Sequence, residues 1–238
     1  MKVYRSQGGP FIERPYYTLT EIDSICSDEL RKTELYPSVP TAIRIERFVE
    51  KRFKVQVAYN DLPDGILGFT RFGLKGVEEV VISRRLAKED GKAAERRLSA
   101  TLAHEAGHGL LHGHLFVLET EQIRSLLGDG ISQTAPKILS REGTVIGSQG
   151  FIRKGYDGHW WEFQANQAIG ALLMPKALVH KALEGLLVER GSLGVRVLEK
   201  SRTGVAVSLL SETFGVNQIV AEIRVEGLFA AETKQLTL

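Results

Sequence analysis

The sequence RLSATLAHEAGHGLLH, residues 97–112, contains the pattern that decides how this chain is interpreted. Apolar residues recur at helical spacing through it and just before it, so the sequence predicts a long helix from about Lys92 to Gly113. The apolar stripe consists of Ala94, Leu98, Leu102 and Ala106, with Leu110 beside it. Such a stripe faces a hydrophobic core, and we therefore expect this helix to be packed inside the domain.

Within this helix, His104-Glu105-Ala106-Gly107-His108 forms an H-E-x-x-H pattern. Four residues advance an α-helix by about 400°, so the imidazoles of His104 and His108 project from nearly the same face, about 6 Å apart along the axis. Both rings can then reach one ion at about 2.0–2.1 Å, and imidazole nitrogen is a good zinc ligand. Glu105 is turned roughly 100° away, from where it can act as a general base on a water at the metal. The pattern predicts a metal site; the alternative is a coincidental spacing of surface histidines.

A catalytic zinc site needs a third protein ligand and an open position for water. His112 continues the stripe but stands about 12 Å along the helix from His104, too far to share an ion. His114 has the spacing of H-E-x-x-H-x-x-G-x-x-H enzymes, but Leu111 occupies the position of the glycine that breaks the helix in those enzymes. Glu162 lies at the start of a second apolar helix, where an inward carboxylate is costly unless it is paired or binds a metal. We predict Glu162 as the third ligand; an exposed acid favoured by the helix dipole is the alternative.

Asn166 follows Glu162 by four residues and so lies on the same face of the second helix. A metal-bound imidazole usually donates its second N–H to an oxygen acceptor, which fixes the orientation of the ring. The side-chain oxygen of Asn166 can serve His104 or His108 in this way. Asn166 can equally satisfy buried backbone groups, and both roles stay open at this point.

The period of the apolar residues changes to two in the segment that precedes the long helix, which predicts β-structure. Three strands are expected, at 54–59, 66–72 and 77–83, separated by turns that contain glycine. Short strands at this spacing suggest an antiparallel meander. Strand 77–83 is a candidate for a sheet edge that pairs with an extended peptide.

Further helices are expected on both sides of these elements, and they account for most of the remaining chain. They lie at 18–33, from Pro40 to 53, at 116–127, 160–173, 175–189, 205–214 and 218–228. Thr20 is a candidate N-cap for the first of them. The stretch 128–158 is rich in glycine and has no steady period, so it is expected to form loops or a small hairpin.

Composition places the chain among ordinary globular proteins: it has 238 residues, 43% hydrophobic and 25% charged, with a net charge of +2. Disordered and collagen-like chains are excluded, and the charge balance gives no electrostatic reason for a nucleic-acid or membrane partner. Cys26 is the single cysteine, so no intramolecular disulfide can form. The N-terminal segment lacks the apolar core of a signal peptide, and no apolar run approaches the ~18 residues of a membrane span. We therefore expect a soluble cytoplasmic protein.

Two segments of the sequence resemble the ImmA/IrrE family of metallo-endopeptidases. Residues 104–112, preceded by 97–103, resemble the metal helix of that family. Residues 162–168, EFQANQA, continuing to LLMP at 172–175, resemble its second signature, an E-x-x-A-N segment that ends in L-L-M-P. Two signatures in the right order are more specific than either alone. A weaker likeness extends from the helix before Lys54 to Phe214-Gly215-Val216.

The resemblance implies an α+β fold with a zincin-like core. That core would contain a small antiparallel-rich sheet, an active-site helix with the H-E-x-x-H pattern and a second ligand helix, followed by a helical C-terminal part. The resemblance further implies that His104, His108 and Glu162 bind zinc, with manganese as the alternative metal, and that Glu105 is the catalytic base. It also implies a protein substrate, a helix-turn-helix transcriptional repressor, which is cut to release the genes of a mobile element or a stress response.

The predicted domain organisation has three parts: a loose N-terminal arm, 1–15; a zincin-like metallopeptidase domain, 16–190; and a helical C-terminal subdomain, 191–238. The interval from His108 to Glu162 is 54 residues, longer than the resemblance leads us to expect, so 115–158 is predicted to be an insertion near the cleft. Tyr156 and His159, just before the second helix, are candidates for the donor that stabilises a developing oxyanion. A glycine-rich loop also holds such residues without any catalytic role.

A different class of function, DNA binding or metal-dependent regulation without catalysis, would use the C-terminal helix pair. Helices 205–214 and 218–228 have the outline of a helix-turn-helix reader. However, Arg224 is the only cation in 218–228, and phosphate contact needs more basic groups than that. Packing helices are the better interpretation, and no direct nucleic-acid contact is expected.

Overall fold

The long helix Lys92–Leu111 runs through the centre of the molecule, and every residue from Ala100 to His108 is buried. The structure is a computed structural model that describes residues 2–5, 13–115, 137–141, 160–190 and 194–235. Its main helices are α1 (Leu19–Lys32), α2 (Ile45–Phe53), α3 (Arg84–Ala87), α4 (Lys92–Leu111), α5 (Trp160–Leu173), α6 (Lys176–Ala182), α7 (Thr203–Phe214) and α8 (Gln218–Gln235). Its strands are β1 (Lys2–Arg5), β2 (Glu13–Tyr16), β3 (Val57–Asn60), β4 (Ile66–Gly73), β5 (Gly76–Ser83), β6 (Lys137–Arg141), β7 (Leu187–Arg190) and β8 (Val195–Leu198). The fold is mixed α+β, as predicted, with small sheets.

The central sheet is not the predicted meander. Its strand order is β3-β5-β4-β6, in which β3 runs parallel to β5 while β4 is antiparallel to both β5 and β6. Strand β5 therefore lies inside the sheet, and the prediction that 77–83 forms an edge was wrong. The run Val80-Val81-Ile82 is fully buried, and a continuous apolar run of this kind is typical of a strand that is covered on both faces.

Several predicted boundaries differ from the structure for local reasons. Helix α1 is capped by Thr18 rather than Thr20, because Thr18 and Glu21 form a reciprocal capping box. Helix α2 begins at Ile45 instead of Pro40. Helix α6 ends at Ala182, and the residues that the helical prediction extended to 189 form a short 3₁₀ turn and β7.

The segment predicted to be a loose N-terminal arm contains regular structure. Strands β1 and β2 pair in antiparallel register, with Val3 opposite Pro15, and Pro15 is buried. Of the predicted insertion 115–158, the structure describes Leu115 and β6, which joins the central sheet beside β4. The helix predicted at 116–127 lies outside the described residues.

The C-terminal helices α7 and α8 confirm the predicted helix pair, and both are longer than expected. They are separated by Gly215, which has a φ of 63°. The predicted helical segment 191–238 also contains β8, which pairs with β7. Within the described ranges, no single helix has the length and apolar character to cross a membrane; the bent pair Lys200–Phe214 and Gln218–Phe229 passes that test only jointly, by length and composition.

Arg224 connects α8 to two other helices. Its buried guanidinium pairs with Asp23 of α1, with Nη1 at 3.2 Å from Oδ2, and its Nε donates to the carbonyl of Met174 at 3.0 Å, just after α5. Removing one partner of such a buried pair is strongly destabilising, because the other charge is left without compensation. Arg224, the only cation in 218–228, is thus buried and paired with a carboxylate, which further weakens the DNA-binding hypothesis.

Small residues allow α4 and α5 to approach closely. A Cβ atom placed on Gly107 would lie 2.9 Å from the Cβ of Ala168 and 3.1 Å from the carbonyl oxygen of Ala165. These distances leave no room for a larger residue, since native carbon contacts are about 3.5–4.0 Å. The face of α5 that carries Glu162 and Asn166 is consequently held against the face of α4 that carries the histidines.

We expect the substitution Gly107→Ala to lower the free energy of unfolding of the metal-free protein. The added methyl group overpacks the α4–α5 contact at a cost of about 1–3 kcal/mol, which exceeds the gain of roughly 0.5–1 kcal/mol in helix propensity. Urea unfolding followed by circular dichroism measures this change. Gly204→Ala in α7 is the matched control, because its Cβ would meet nothing within 4 Å, and it should leave stability unchanged or slightly higher. Equal stability of the two variants would contradict the close-packing explanation.

Candidate metal centre

Three buried side chains from α4 and α5 converge on one point. The Nε2 atoms of His104 and His108 lie 3.0 Å apart, and the carboxylate of Glu162 lies 3.1 Å from the first and 3.5 Å from the second. One ligand atom from each residue lies within 4.8 Å of the other two. The structure therefore brings together the three residues that the sequence predicts as ligands.

The shape of this group fits a metal ion. Two ligands at about 2.0–2.1 Å from a tetrahedral ion are separated by roughly 3.3 Å, which is close to the distances between the three side chains. Two imidazole nitrogens and one carboxylate oxygen also form a donor set that binds several divalent transition metals. A buried His/His/Glu group of this kind could hold a metal ion, and its donors do not by themselves select which one.

The electrostatics of the group also favour a cation. Burial raises the pKa of Glu162, but the charge of His108 and hydrogen bonds from His104 and His108 lower it more, so the net shift is downward. Burial lowers the pKa of His104, whereas the hydrogen bond to Glu162 and the negative charges of Glu162 and Glu105 raise it, so the net shift is upward. The directions of both pKa shifts reflect favourable contacts between a carboxylate and positive charge at the imidazoles, and a metal ion would supply such a charge.

Asn166 contacts a histidine of the site, which is one of the two roles that the sequence leaves open for it. Its Oδ1 lies 3.0 Å from Nδ1 of His104, and both side chains are buried. Because a carbonyl oxygen only accepts, His104 donates its Nδ1–H, and its Nε2 faces the metal position. This arrangement orients the ring as an acceptor usually orients a metal-bound imidazole.

Two further residues of the site were not identified from the sequence. His112 stands too far along α4 to share an ion with His104, yet it is fully buried and its Nδ1 lies 3.0 Å from Nδ1 of His108. Its Nε2 lies 3.1 Å from Oε1 of Gln164, which is also buried. Burial, followed by the charge of His108, lowers the pKa of His112 well below its ordinary value, so this imidazole is neutral. The i,i+4 spacing from His108 was the available signal for His112; nothing in the sequence pointed to Gln164.

Glu105 is fully buried against strand β4. The hydroxyl of Thr70 donates to Oε2 of Glu105 at 2.6 Å. A Cβ atom at Gly68 would lie 3.3 Å from Oε1 of Glu105 and 2.8 Å from the carbonyl oxygen of Val81, so glycine keeps this part of the strand clear of the carboxylate. Strand β4 therefore holds the Glu105 carboxylate beside the ligand group, where its charge acts on His104.

The remaining candidates do not join the group. His114 is exposed and is not part of the convergent set. Tyr156 and His159, the candidate oxyanion donors, lie outside the described residues. Comparison of the chain with protein-family models and with curated proteins finds no match, so the interpretation of the site depends on its own residues and their geometry.

We expect zinc binding to weaken as the pH falls. In the metal-free protein, Glu162 keeps a proton on His104 to a higher pH than the ordinary pKa of 6.5, and the metal must displace that proton. Raising the pH through the raised pKa of His104 removes this competition, and lowering the pH restores it. For each proton displaced, the zinc dissociation constant should rise about tenfold per pH unit below that pKa. Competition titrations with a chelator of known pH dependence measure the effect; a dissociation constant that does not change between roughly pH 8 and pH 6 would contradict it.

Proposed function

We propose that this protein is a metal-dependent endopeptidase of the ImmA/IrrE type with a zincin-like core, and that it hydrolyses a peptide bond in a protein substrate. The observation that carries the proposal is the convergence of His104, His108 and Glu162 with Glu105 beside them. This arrangement supports peptide hydrolysis because it combines a metal-binding group with a separate carboxylate that is not among its ligands.

His104, His108 and Glu162 would hold the metal, which we propose to be zinc, with manganese as the alternative. A bound ion of this kind supplies Lewis acidity, which polarises the scissile carbonyl group and lowers the pKa of water toward about 7. The two neutral imidazoles and one carboxylate leave a site with a net positive charge. A buried position, shielded from bulk water, strengthens the interaction of that charge with a developing oxyanion.

Glu105 is proposed to be the general base. Its carboxylate takes a proton from the attacking water while the water oxygen forms a bond to the carbonyl carbon. Glu105 then gives the proton to the amide nitrogen as the carbon–nitrogen bond breaks, which leaves a carboxyl and an amino terminus. The hydrogen bond from Thr70 fixes the carboxylate in position for both transfers, so that Glu105 need not reorient between them.

The proposed substrate, a helix-turn-helix repressor, rests on the resemblance of residues 104–112 and 162–175 to the two family signatures. Such a reaction would take place in the cytoplasm, where repressors act. The DNA-binding hypothesis has less support, since Arg224 is buried and paired with Asp23. Incubation of the full chain with zinc or manganese and any helix-turn-helix repressor that is encoded beside it tests the substrate. Salt-sensitive binding to duplex DNA without proteolysis would favour the rival function.

Substitution of the proposed ligands should remove the metal. We expect His104→Ala, His108→Ala and Glu162→Ala each to lower bound zinc from near one equivalent to a small fraction, because two ligands hold an ion much more weakly than three. Elemental analysis of the purified variants measures the loss. His114→Ala is the matched control, since His114 is an exposed histidine close to the same helix, and it should keep its metal. Retention of zinc in Glu162→Ala with loss in His114→Ala would replace Glu162 by His114 as the third ligand.

Substitution of the proposed base should separate binding from catalysis. Glu105→Gln keeps the shape of the side chain but cannot accept the proton, so zinc should remain bound while the cleavage rate falls by about 10²–10⁴-fold. Elemental analysis and a cleavage assay on the same preparation measure both quantities. The control is Glu95→Gln, the same change at an exposed position of α4, which should cleave at the normal rate. Full activity of Glu105→Gln would refute the proposed mechanism.

A further inference from the structure

His112 lies between the metal ligand His108 and the second ligand helix. Its Nδ1 is 3.0 Å from Nδ1 of His108, and its Nε2 is 3.1 Å from Oε1 of Gln164. The ring is fully buried and stacks edge-on against Trp160, with ring centroids 5.5 Å apart and planes at 82°. His112 therefore contacts, through its two nitrogens, a proposed metal ligand on one side and a buried amide on the other.

A residue that belongs to neither α4 nor α5 fixes the orientation of the Gln164 amide. Its Nε2 donates to the carbonyl oxygen of Pro15 at 2.8 Å. A backbone carbonyl can only accept, so the amide nitrogen must face Pro15, and the amide oxygen must face His112. Pro15 belongs to β2, in the N-terminal hairpin, and is buried there.

These contacts determine which nitrogen of each imidazole carries the hydrogen. Because Oε1 of Gln164 accepts, the hydrogen that faces Gln164 is on Nε2 of His112, and a ring with that single hydrogen has a lone pair on Nδ1. That lone pair accepts from His108, whose hydrogen is consequently on Nδ1. The hydrogen on Nδ1 leaves Nε2 of His108 to bind a metal ion once any proton on Nε2 has been displaced. This Nε2 lies 3.0 Å from Nε2 of His104 and 3.5 Å from Oε1 of Glu162.

We propose that His112 and Gln164 are positioning residues, which hold His108 in its metal-binding tautomer and ring orientation, and that the carbonyl of Pro15 anchors the chain of hydrogen bonds to the N-terminal hairpin. The inference rests on the proposed metal centre but not on the proposed peptidase activity. Asn166 has the corresponding role for His104. The two ligands of α4 are thus oriented by different partners, His104 by Asn166 of α5 and His108 by a relay through His112 and Gln164 that ends in β2.

The test compares zinc affinity in two variants at residue 112. His112→Leu removes the acceptor for His108 and keeps an apolar side chain, so zinc should bind about 10–100-fold more weakly, the usual loss when the partner of a ligand histidine is removed. His112→Asn restores an acceptor, because the asparagine Oδ1 lies close to the position of the histidine Nδ1. Zinc affinity of His112→Asn should return to within about threefold of the original protein.

Gln164→Met and a control variant extend the comparison. Gln164→Met breaks the link to Pro15 and should weaken zinc binding by less than His112→Leu, since His112 still provides an acceptor. Thr101→Val is the control, because it removes a hydrogen bond within α4, from Thr101 to the carbonyl of Arg97, without touching the relay. It should lower the unfolding temperature and leave zinc affinity unchanged, which separates a loss of stability from a loss of positioning.

A spectroscopic measurement on the unsubstituted protein tests the same inference without any variant. Long-range ¹H–¹⁵N spectra of the zinc-loaded full chain distinguish the two tautomers of a neutral imidazole. We expect a hydrogen on Nδ1 of His108 and on Nε2 of His112. A hydrogen on Nδ1 of His112, or zinc affinity of a folded His112→Leu variant equal to that of the original protein, would overturn the inference while leaving the metal centre intact. Failure of the original protein to bind zinc would instead overturn the metal centre itself.

Discussion

The candidate metal centre depends on the close contact between α4 and α5, because the three side chains that could hold an ion come from both helices. Two nitrogens of α4 and one carboxylate of α5 must meet within 3.5 Å, and this requires the helix backbones to approach where Gly107 faces Ala165 and Ala168. A larger residue at this crossing would push the two helices apart and move Glu162 away from the histidines. The small residues therefore have a functional consequence, although none of them touches the metal position.

The same contact explains how a cluster of polar side chains can be buried in the core. Seven buried residues form this cluster: His104, Glu105, His108, His112, Glu162, Gln164 and Asn166. A buried polar group without a partner is costly, and here each of the seven has a hydrogen bond or an ion pair to another member or to β2 or β4. The network also restricts each imidazole to one orientation, so the interactions that make burial tolerable are the ones that prepare the ligands.

Sequence-based prediction was accurate for elements that depend on local interactions and inaccurate for those that depend on contacts between distant residues. Helix α5 was predicted to the residue, and α4 to within two residues at its end, since apolar periodicity is a local property. The predicted strand order was wrong because β3 pairs directly with β5, although β4 lies between them along the chain. The partner of a strand is not visible in the apolar period of either strand. The cap of α1 was misplaced by two residues although its T-x-x-E signature was available at Thr18.

The sequence by itself determined that His104 and His108 share one face of a buried helix, that Glu105 does not, and that Glu162 and Asn166 share one face of another. These conclusions need only the fixed rotation of about 100° per residue. Only the tertiary structure decided that the two faces meet, that Thr70 holds Glu105, and that His112 links His108 through Gln164 to Pro15. Those contacts join residues as much as 149 positions apart, and their existence depends on how the core packs rather than on any repeating pattern along the chain.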